Sequence, residues 1–195
     1  MYKKYFKRII DLYMCYVIFP PFLIISLLIS ILIKLEDGGH VFYRSTRLGL
    51  NKTHFKIYKF RSMKEDAPDY RNADGSTFNS DDDPRITKVG RLLRKTSLDE
   101  LPQIFNVIKG DMSFIGPRPD TVEAIDIYSK EEEKKLKVKP GITGYNQAFY
   151  RNSISQQEKF KNDVYYVDNQ SLFFDIKIII RTLYSVLFSK NINNE

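Results

Sequence analysis

From Leu12 to Ile33 the chain carries no charged residue, a run of 22 positions. About 20 apolar residues suffice for a helix to cross a bilayer, so the run predicts a membrane-embedded segment. Lys3, Lys4, Lys7 and Arg8 precede it as in a signal peptide, but Lys34, Leu35 and Glu36 follow where a cleavage site needs small residues. It therefore reads as retained. Pro20-Pro21 interrupts the run, removing two helical donors and orphaning the carbonyls of Tyr16 and Val17. Two arms result, roughly residues 3–19 and 22–34, and the second reaches only about 20 Å against a hydrocarbon core of about 30 Å. A hairpin that enters and leaves one leaflet fits these lengths, and a single span kinked at the prolines also fits. Basic residues before the run and again at Arg44, Arg47, Lys52, Lys56 and Lys59 favour placing both ends in the cytoplasm.

Beyond the apolar run the periodicity changes. Residues 41–63 predict a β-hairpin, with Phe55, Ile57 and Lys59 alternating with His54, Lys56 and Tyr58 and a turn at Gly49-Leu50-Asn51-Lys52. Residues 64–85 are rich in Asp, Asn, Gly and Pro and predict a long loop. Helical patterning covers Thr87–Lys95, Leu98–Lys109 and Thr121–Lys137, with a Gly/Pro-punctuated loop over Gly110–Pro119. Residues 171–188 are strongly apolar but broken by Asp175, Lys177 and Arg181, which suits an interfacial helix or a core helix better than a span. The domain division is an anchor over residues 1–36 and a compact unit over 37–195.

Composition narrows the chemistry. Hydrophobic residues make up 43% and charged residues 28%, as in a folded chain. Lys and Arg outnumber Asp and Glu by 31 to 24, and the surplus of +7 calls for an anionic partner. No nucleic-acid recognition motif is present, and such a partner would leave the apolar segment unexplained. Cys15 is the single cysteine, which excludes an internal disulfide. With only His40 and His54 beside it, a thiolate-imidazole zinc site is excluded as well, so any metal is a hard cation on carboxylates and phosphates.

Three segments carry candidate chemistry. Ser97-Leu98-Asp99-Glu100 reads as a capping box, with Ser97 capping a helix and Glu100 reaching back. The same geometry puts two adjacent carboxylates at a helix start, where the dipole favours ionisation and attracts phosphate. In Gly110–Pro119, Arg118 is held between two prolines and suits forked contact with a phosphate. Lys139-Pro140-Gly141-Ile142-Thr143-Gly144 is a second loop able to offer backbone donors. Lys59, Arg61, Arg91, Arg94 and Arg151 are further cations. Asp81-Asp82-Asp83 reads as a solvated loop, and Glu131–Lys139 as an exposed helix end with Glu131 paired to Lys135.

Taken together, KRIIDL, the proline in the apolar run, FKIYKFRSM, DPRITKVGRLLRKTSLDELPQIFNVIKGDMSFIGPRP, KPGITGYNQ and DVYYV resemble one family in order, over about residues 3–188. It is the monotopic polyprenol-phosphate phosphoglycosyl transferases, often called bacterial sugar transferases, here in minimal form. The resemblance implies a helix-rich α+β fold: a re-entrant membrane helix hairpin, then a compact membrane-associated catalytic domain with a small β-hairpin and interfacial amphipathic helices. The family's Ser-Pro break is replaced here by Pro20-Pro21. The resemblance further implies that Asp99 attacks the sugar-bearing phosphorus of a UDP-sugar and expels UMP, and that a polyprenol phosphate then takes the phosphosugar from Asp99. Mg²⁺ is implied beside Asp99 and Glu100, with Arg94 and Arg118 as phosphate contacts and Lys59 and Arg151 as weaker ones. A bacterial cytoplasmic membrane is the implied location. Tyr145 stands where other members often carry tryptophan. Two rivals remain on sequence grounds: a transferase that moves only the sugar, and a non-catalytic membrane adaptor.

Overall fold

The computed structural model describes residues 2–68, 70, 80, 83–150 and 153–187. After a π-helical turn at Tyr2–Phe6, helix α1 runs from Lys7 to Asp37, a 31-residue element about 46 Å long. The sequence favoured a break at Pro20-Pro21, but both prolines lie inside one continuous helix, so no loop separates two arms. Its buried residues, Lys7, Asp11, Cys15, Phe22, Ile29 and Ile33, recur at intervals of four or seven and form one narrow stripe. The rest of the surface is apolar and exposed, including Tyr13, Tyr16, Ile24, Leu27, Leu28 and Leu35. Such a face is consistent with membrane association.

Strands β1 (Phe42–Leu48) and β2 (His54–Phe60) form the expected antiparallel hairpin, with Phe42 opposite Phe60 and Leu48 opposite His54. Asn51 and Lys52 take left-handed backbone angles in the turn. Phe55 and Ile57 face inward, and Lys59 continues that face, as the two-residue period requires. The remaining elements are α2 (Lys88–Thr96), a 3₁₀ segment at Leu98–Gln103, α3 (Ile104–Lys109), β3 (Ser113–Ile115), β4 (Gly141–Thr143), α4 (Tyr145–Phe149), α5 (Gln156–Asn169) and α6 (Leu172–Leu187). The predicted loop over 64–85 falls largely outside the described residues.

Two predicted helices are corrected. Leu98–Lys109 divides into the 3₁₀ segment and α3. Thr121–Lys137 becomes two 3₁₀ runs, Val122–Ile127 and Glu132–Lys137. Tyr128 is extended between them, and Ser129 and Glu132 bond each other reciprocally to begin the second run.

Three apolar clusters hold the fold. Cys15 and Phe22 of α1 pack with Phe55, Ile57, Ile104, Val107 and Met112. Ile29 and Ile33 pack with Phe60 and Leu93. Ile115, Ala148, Tyr166, Val167 and Ile178 form the third. Residues 1–36 thus share two cores with the hairpin, α2 and α3. Polar ties reinforce α1 at both ends. Lys7 pairs with the buried Asp175 at 2.6 Å, and Asp11 accepts from Ser113 Oγ and the Phe114 amide, each at 3.0 Å. At the far end Glu36 accepts from the Lys88 and Val89 amides, capping α2 from outside beside its own Thr87 cap. Asp37 pairs with Arg61.

Helix α6 buries Asp175 and Ile178 on one side, while Phe173, Ile180 and Leu183 are exposed.

β3 and β4 pair in parallel, joining the two Gly/Pro loops. The Gly116 amide donates to Thr143 O and the Gly141 amide to Pro117 O, each at 2.9 Å. The amides of Gly116 and Gly141 are therefore spent on each other's segments, which corrects the reading of Lys139–Gly144 as a ligand cradle at those donors. A Cβ on Gly144 would stand 2.1 Å from Gly116 O, so glycine here answers close backbone approach.

Candidate active site

Asp99 and Glu100 sit on the 3₁₀ segment, one residue past the end of α2. Ser97 has a φ of 58°, and its amide closes α2 by bonding the carbonyls of Arg94 and Leu93. Its side chain caps nothing, so the expected capping box is absent. Glu100 instead turns to two cations. Its Oε1 accepts from Lys59 Nζ at 2.7 Å and from Arg118 Nη2 at 2.8 Å, and Arg118 Nη1 lies 3.4 Å from Oε2. Charge-assisted contacts of this kind outweigh a neutral backbone cap. A capping box does form at Ser155–Glu158, at the start of α5, which sequence reading passed over.

Asp99 differs from its neighbour. Among the described residues its carboxylate has no hydrogen bond or ion pair. Burial pushes its pKa up and so does the charge of Glu100, against the pull of Lys59, Arg118 and Arg94. The cations around it, and not a capped helix start, are what favour its ionised form. For Glu100, burial opposes ionisation, but Arg118 and Lys59 overcome it and hold the carboxyl well below the usual range. Glu100 in turn raises Arg118 above its ordinary value.

The remaining predicted residues divide. Lys59 reaches the site from the inward face of β2. Arg94, on α2, donates from Nε to Ser62 Oγ at 3.0 Å and lies within electrostatic reach of Asp99. Arg151 lies outside the described residues, as do Asp81 and Asp82. Asp83 is buried against Arg85, a structural pair and not a solvated loop residue. The geometry thus brings one unpaired carboxylate together with a second, fixed carboxylate and three cations. That set is suited to nucleophilic attack at an anionic phosphorus centre.

Sequence reading missed a charged cluster behind Arg118. Lys135, expected on an exposed helix end, is 4% exposed and pairs with both Asp120 and Asp163 at 2.5 Å. Glu131 pairs with Lys134 instead. The Tyr128 hydroxyl donates to Asp120 at 2.6 Å, and Asn146 Nδ2 donates to Asp163 Oδ1 at 2.8 Å. The signal that pointed there was Asp163 itself, at the head of DVYYV.

Burial pushes the Asp163 carboxyl up to about 6 from an ordinary 3.8, with Lys135 and Asn146 offsetting part of the effect. Between those values the unfolded chain has lost this proton and the folded chain retains it. The contribution of this group to stability therefore falls as pH rises from about 4 to about 6. Asp163→Asn is expected to gain stability relative to the native protein across that window, by roughly 2 to 3 kcal/mol at most. Urea denaturation through that pH range measures it, and parallel curves for the two proteins would contradict it.

The family model described as bacterial sugar transferase matches residues 2–189. The chain belongs to that family. This sugar transferase is 41% identical over 186 residues to the sugar transferase EpsL of Bacillus subtilis (strain 168), covering 95% of this chain and 89% of the relative. It is 36% identical over 195 residues to the UDP-glucose:undecaprenyl-phosphate glucose-1-phosphate transferase of Caulobacter vibrioides, covering 95% of this chain and 71% of that one. It is 37% identical over 189 residues to the UDP-N-acetylgalactosamine-undecaprenyl-phosphate N-acetylgalactosaminephosphotransferase of Aeromonas hydrophila, covering 94% of this chain but 44% of that relative.

Proposed function

We propose that this sugar transferase moves a sugar 1-phosphate from a UDP-sugar to undecaprenyl phosphate, the opening step of exopolysaccharide synthesis, through a covalent phosphosugar on Asp99. The carrying observation is the asymmetry of the dyad: Glu100 is held by Lys59 and Arg118, while the Asp99 carboxylate beside it is unpaired among the described residues. Asp99 attacks the phosphorus that bears the sugar, forming a P–O bond as the bond to the UMP phosphate breaks. UMP leaves as an anion. An oxygen of undecaprenyl phosphate then attacks the same phosphorus, and the P–O bond to Asp99 breaks, regenerating the carboxylate. Arg118, Arg94 and Lys59 offset charge on the diphosphate in both steps, and Glu100 fixes the first of these by its forked contact.

Mg²⁺ fits this donor set in the way that ion is often held, by one or two carboxylates together with substrate phosphates. Asp99 has a free carboxylate to offer, whereas Glu100 already shares its Oε1 with two cations. When bound, the ion offsets charge on the diphosphate.

For topology, α1 is proposed to enter and leave the bilayer on the cytoplasmic side, bending at Pro20-Pro21. Both of its ends are tied to the same folded unit, through Lys7–Asp175 at one and Glu36 and Asp37 at the other. With Cys15 replaced by alanine, single cysteines at Tyr2 and His40 are expected to label from the same side of the membrane. Labelling from opposite sides would rule the hairpin out. Product analysis tests the chemistry: incubation with undecaprenyl phosphate, Mg²⁺ and a panel of UDP-sugars is expected to release UMP, and release of UDP would establish transfer of the sugar alone.

A further inference from the structure

We infer that the Asp120–Lys135–Asp163 triad is a positioning device for Arg118, so that Lys135 acts on the chemistry without touching substrate. The inference rests on the phosphosugar transfer just described. Arg118 is half exposed at its side chain, and an arginine in that setting ordinarily samples many rotamers. Here its backbone is pinned on both sides. Ahead of it, Pro117 O accepts from the Gly141 amide at 2.9 Å, and behind it, Asp120 O accepts from the Leu48 amide at 3.0 Å. The Asp120 side chain is then gripped by Lys135 and Tyr128, and Lys135 is held by Asp163 from α5. Arg118, Asp120 and Lys135 line one narrow crevice together with Leu48 and Pro140.

Charge gives the device a direction. Two aspartates face one lysine, leaving a surplus negative charge in the interior. Glu100, which the guanidinium bonds directly, is the main group that stabilises the Arg118 cation, and Asp99 and Asp120 add to it. Burying the ionised Lys135 and Asp163 carries a large desolvation cost before pairing, and apolar residues of like volume often serve stability as well or better. A role in fixing Arg118 accounts for keeping them.

The test is a double-mutant cycle on UMP release. Lys135→Met is expected to slow release by about 30-fold or more in the native background, and by less than about 3-fold when Arg118 is already alanine. Asp120→Asn, which keeps the side-chain shape, is expected to show the same pattern with a smaller loss of about 10-fold, and it serves if Lys135→Met fails to fold. Equal fold losses with and without Arg118 would overturn the inference and leave the triad a structural element. If the native protein releases no UMP, the proposed function fails. The same cycle on the urea midpoint of unfolding then decides separately, because it needs no turnover. Coupling between position 118 and the triad is expected there, and strict additivity would again overturn the inference.

Discussion

Asp99→Asn is expected to abolish UMP release, with a loss of about 1,000-fold or more, equivalent to about 4 kcal/mol of transition-state stabilisation. The amide keeps the shape of the carboxylate but lacks its nucleophilicity, and no other group at the site is placed to take over. Because the Asp99 carboxylate makes no hydrogen bond among the described residues, the substitution leaves the contacts of Glu100 with Lys59 and Arg118 in place. The thermal midpoint should therefore stay close to that of the native protein. Mass measurement makes the test sharper. With a UDP-sugar and no lipid acceptor, the native chain is expected to gain the mass of one phosphosugar, and the asparagine variant none. A variant that keeps a tenth of the native rate would exclude Asp99 as the nucleophile.

The second large effect is on stability. Gly90 sits in α2 where the helix crosses the chain at Ser62, and a Cβ there would stand 2.0 Å from Ser62 O and 2.6 Å from its carbonyl carbon. Both neighbours are backbone, so neither swings aside as a long side chain would. The Ser62 carbonyl already accepts from the Thr87 amide at 3.2 Å, and the Gly90 amide donates to Thr87 Oγ1 at 2.9 Å. Alanine must push α2 off this anchor. Helix propensity alone favours alanine by up to about 1 kcal/mol, but an overpacked contact against backbone costs about 3 kcal/mol, so the clash wins. Gly90→Ala is expected to lower the thermal midpoint by roughly 4 to 12 °C. It should also cut activity at temperatures where the fold survives, because Arg94 rides on the same helix and donates to Ser62 Oγ. An unchanged midpoint would show that α2 shifts freely at this crossing.

The sequence was legible wherever one local rule decided the outcome. The hairpin turn at Gly49–Lys52 formed because the alternation on either side and the left-handed Asn51 and Lys52 agree. The helical pattern read from Thr87 to Lys95 matches α2, with Thr87 itself serving as its cap. Asp99, Glu100, Lys59 and Arg118 lie together in the fold, a proximity that no single segment of the sequence announces. Reading failed where distant contacts overrode a local motif. Ser97-x-x-Glu100 has the residues of a capping box, yet Glu100 is claimed by Lys59, 41 positions away, and by Arg118. Lys135 has a glutamate four positions back, as a surface pair requires, yet it turns inward to Asp120 and Asp163. The Lys139–Gly144 loop looked able to offer backbone donors to a ligand, and its glycines answer instead to the tightness of β3 against β4. A charged side chain near its neighbours in sequence gives no sign that a better partner waits across the fold.

The stripe along α1 has a consequence for how the protein is kept where it works. Cys15 and Phe22 complete one core, Ile29 and Ile33 complete another, and Glu36 caps α2. Clipping the chain after Asp37 would not free a working soluble enzyme. It would strip Phe55, Ile57, Phe60 and Leu93 of their cover and leave a remnant that unfolds. Helix α1 is therefore a condition of the remaining chain being folded at all, and cleavage behind it cannot release that remainder as a working unit.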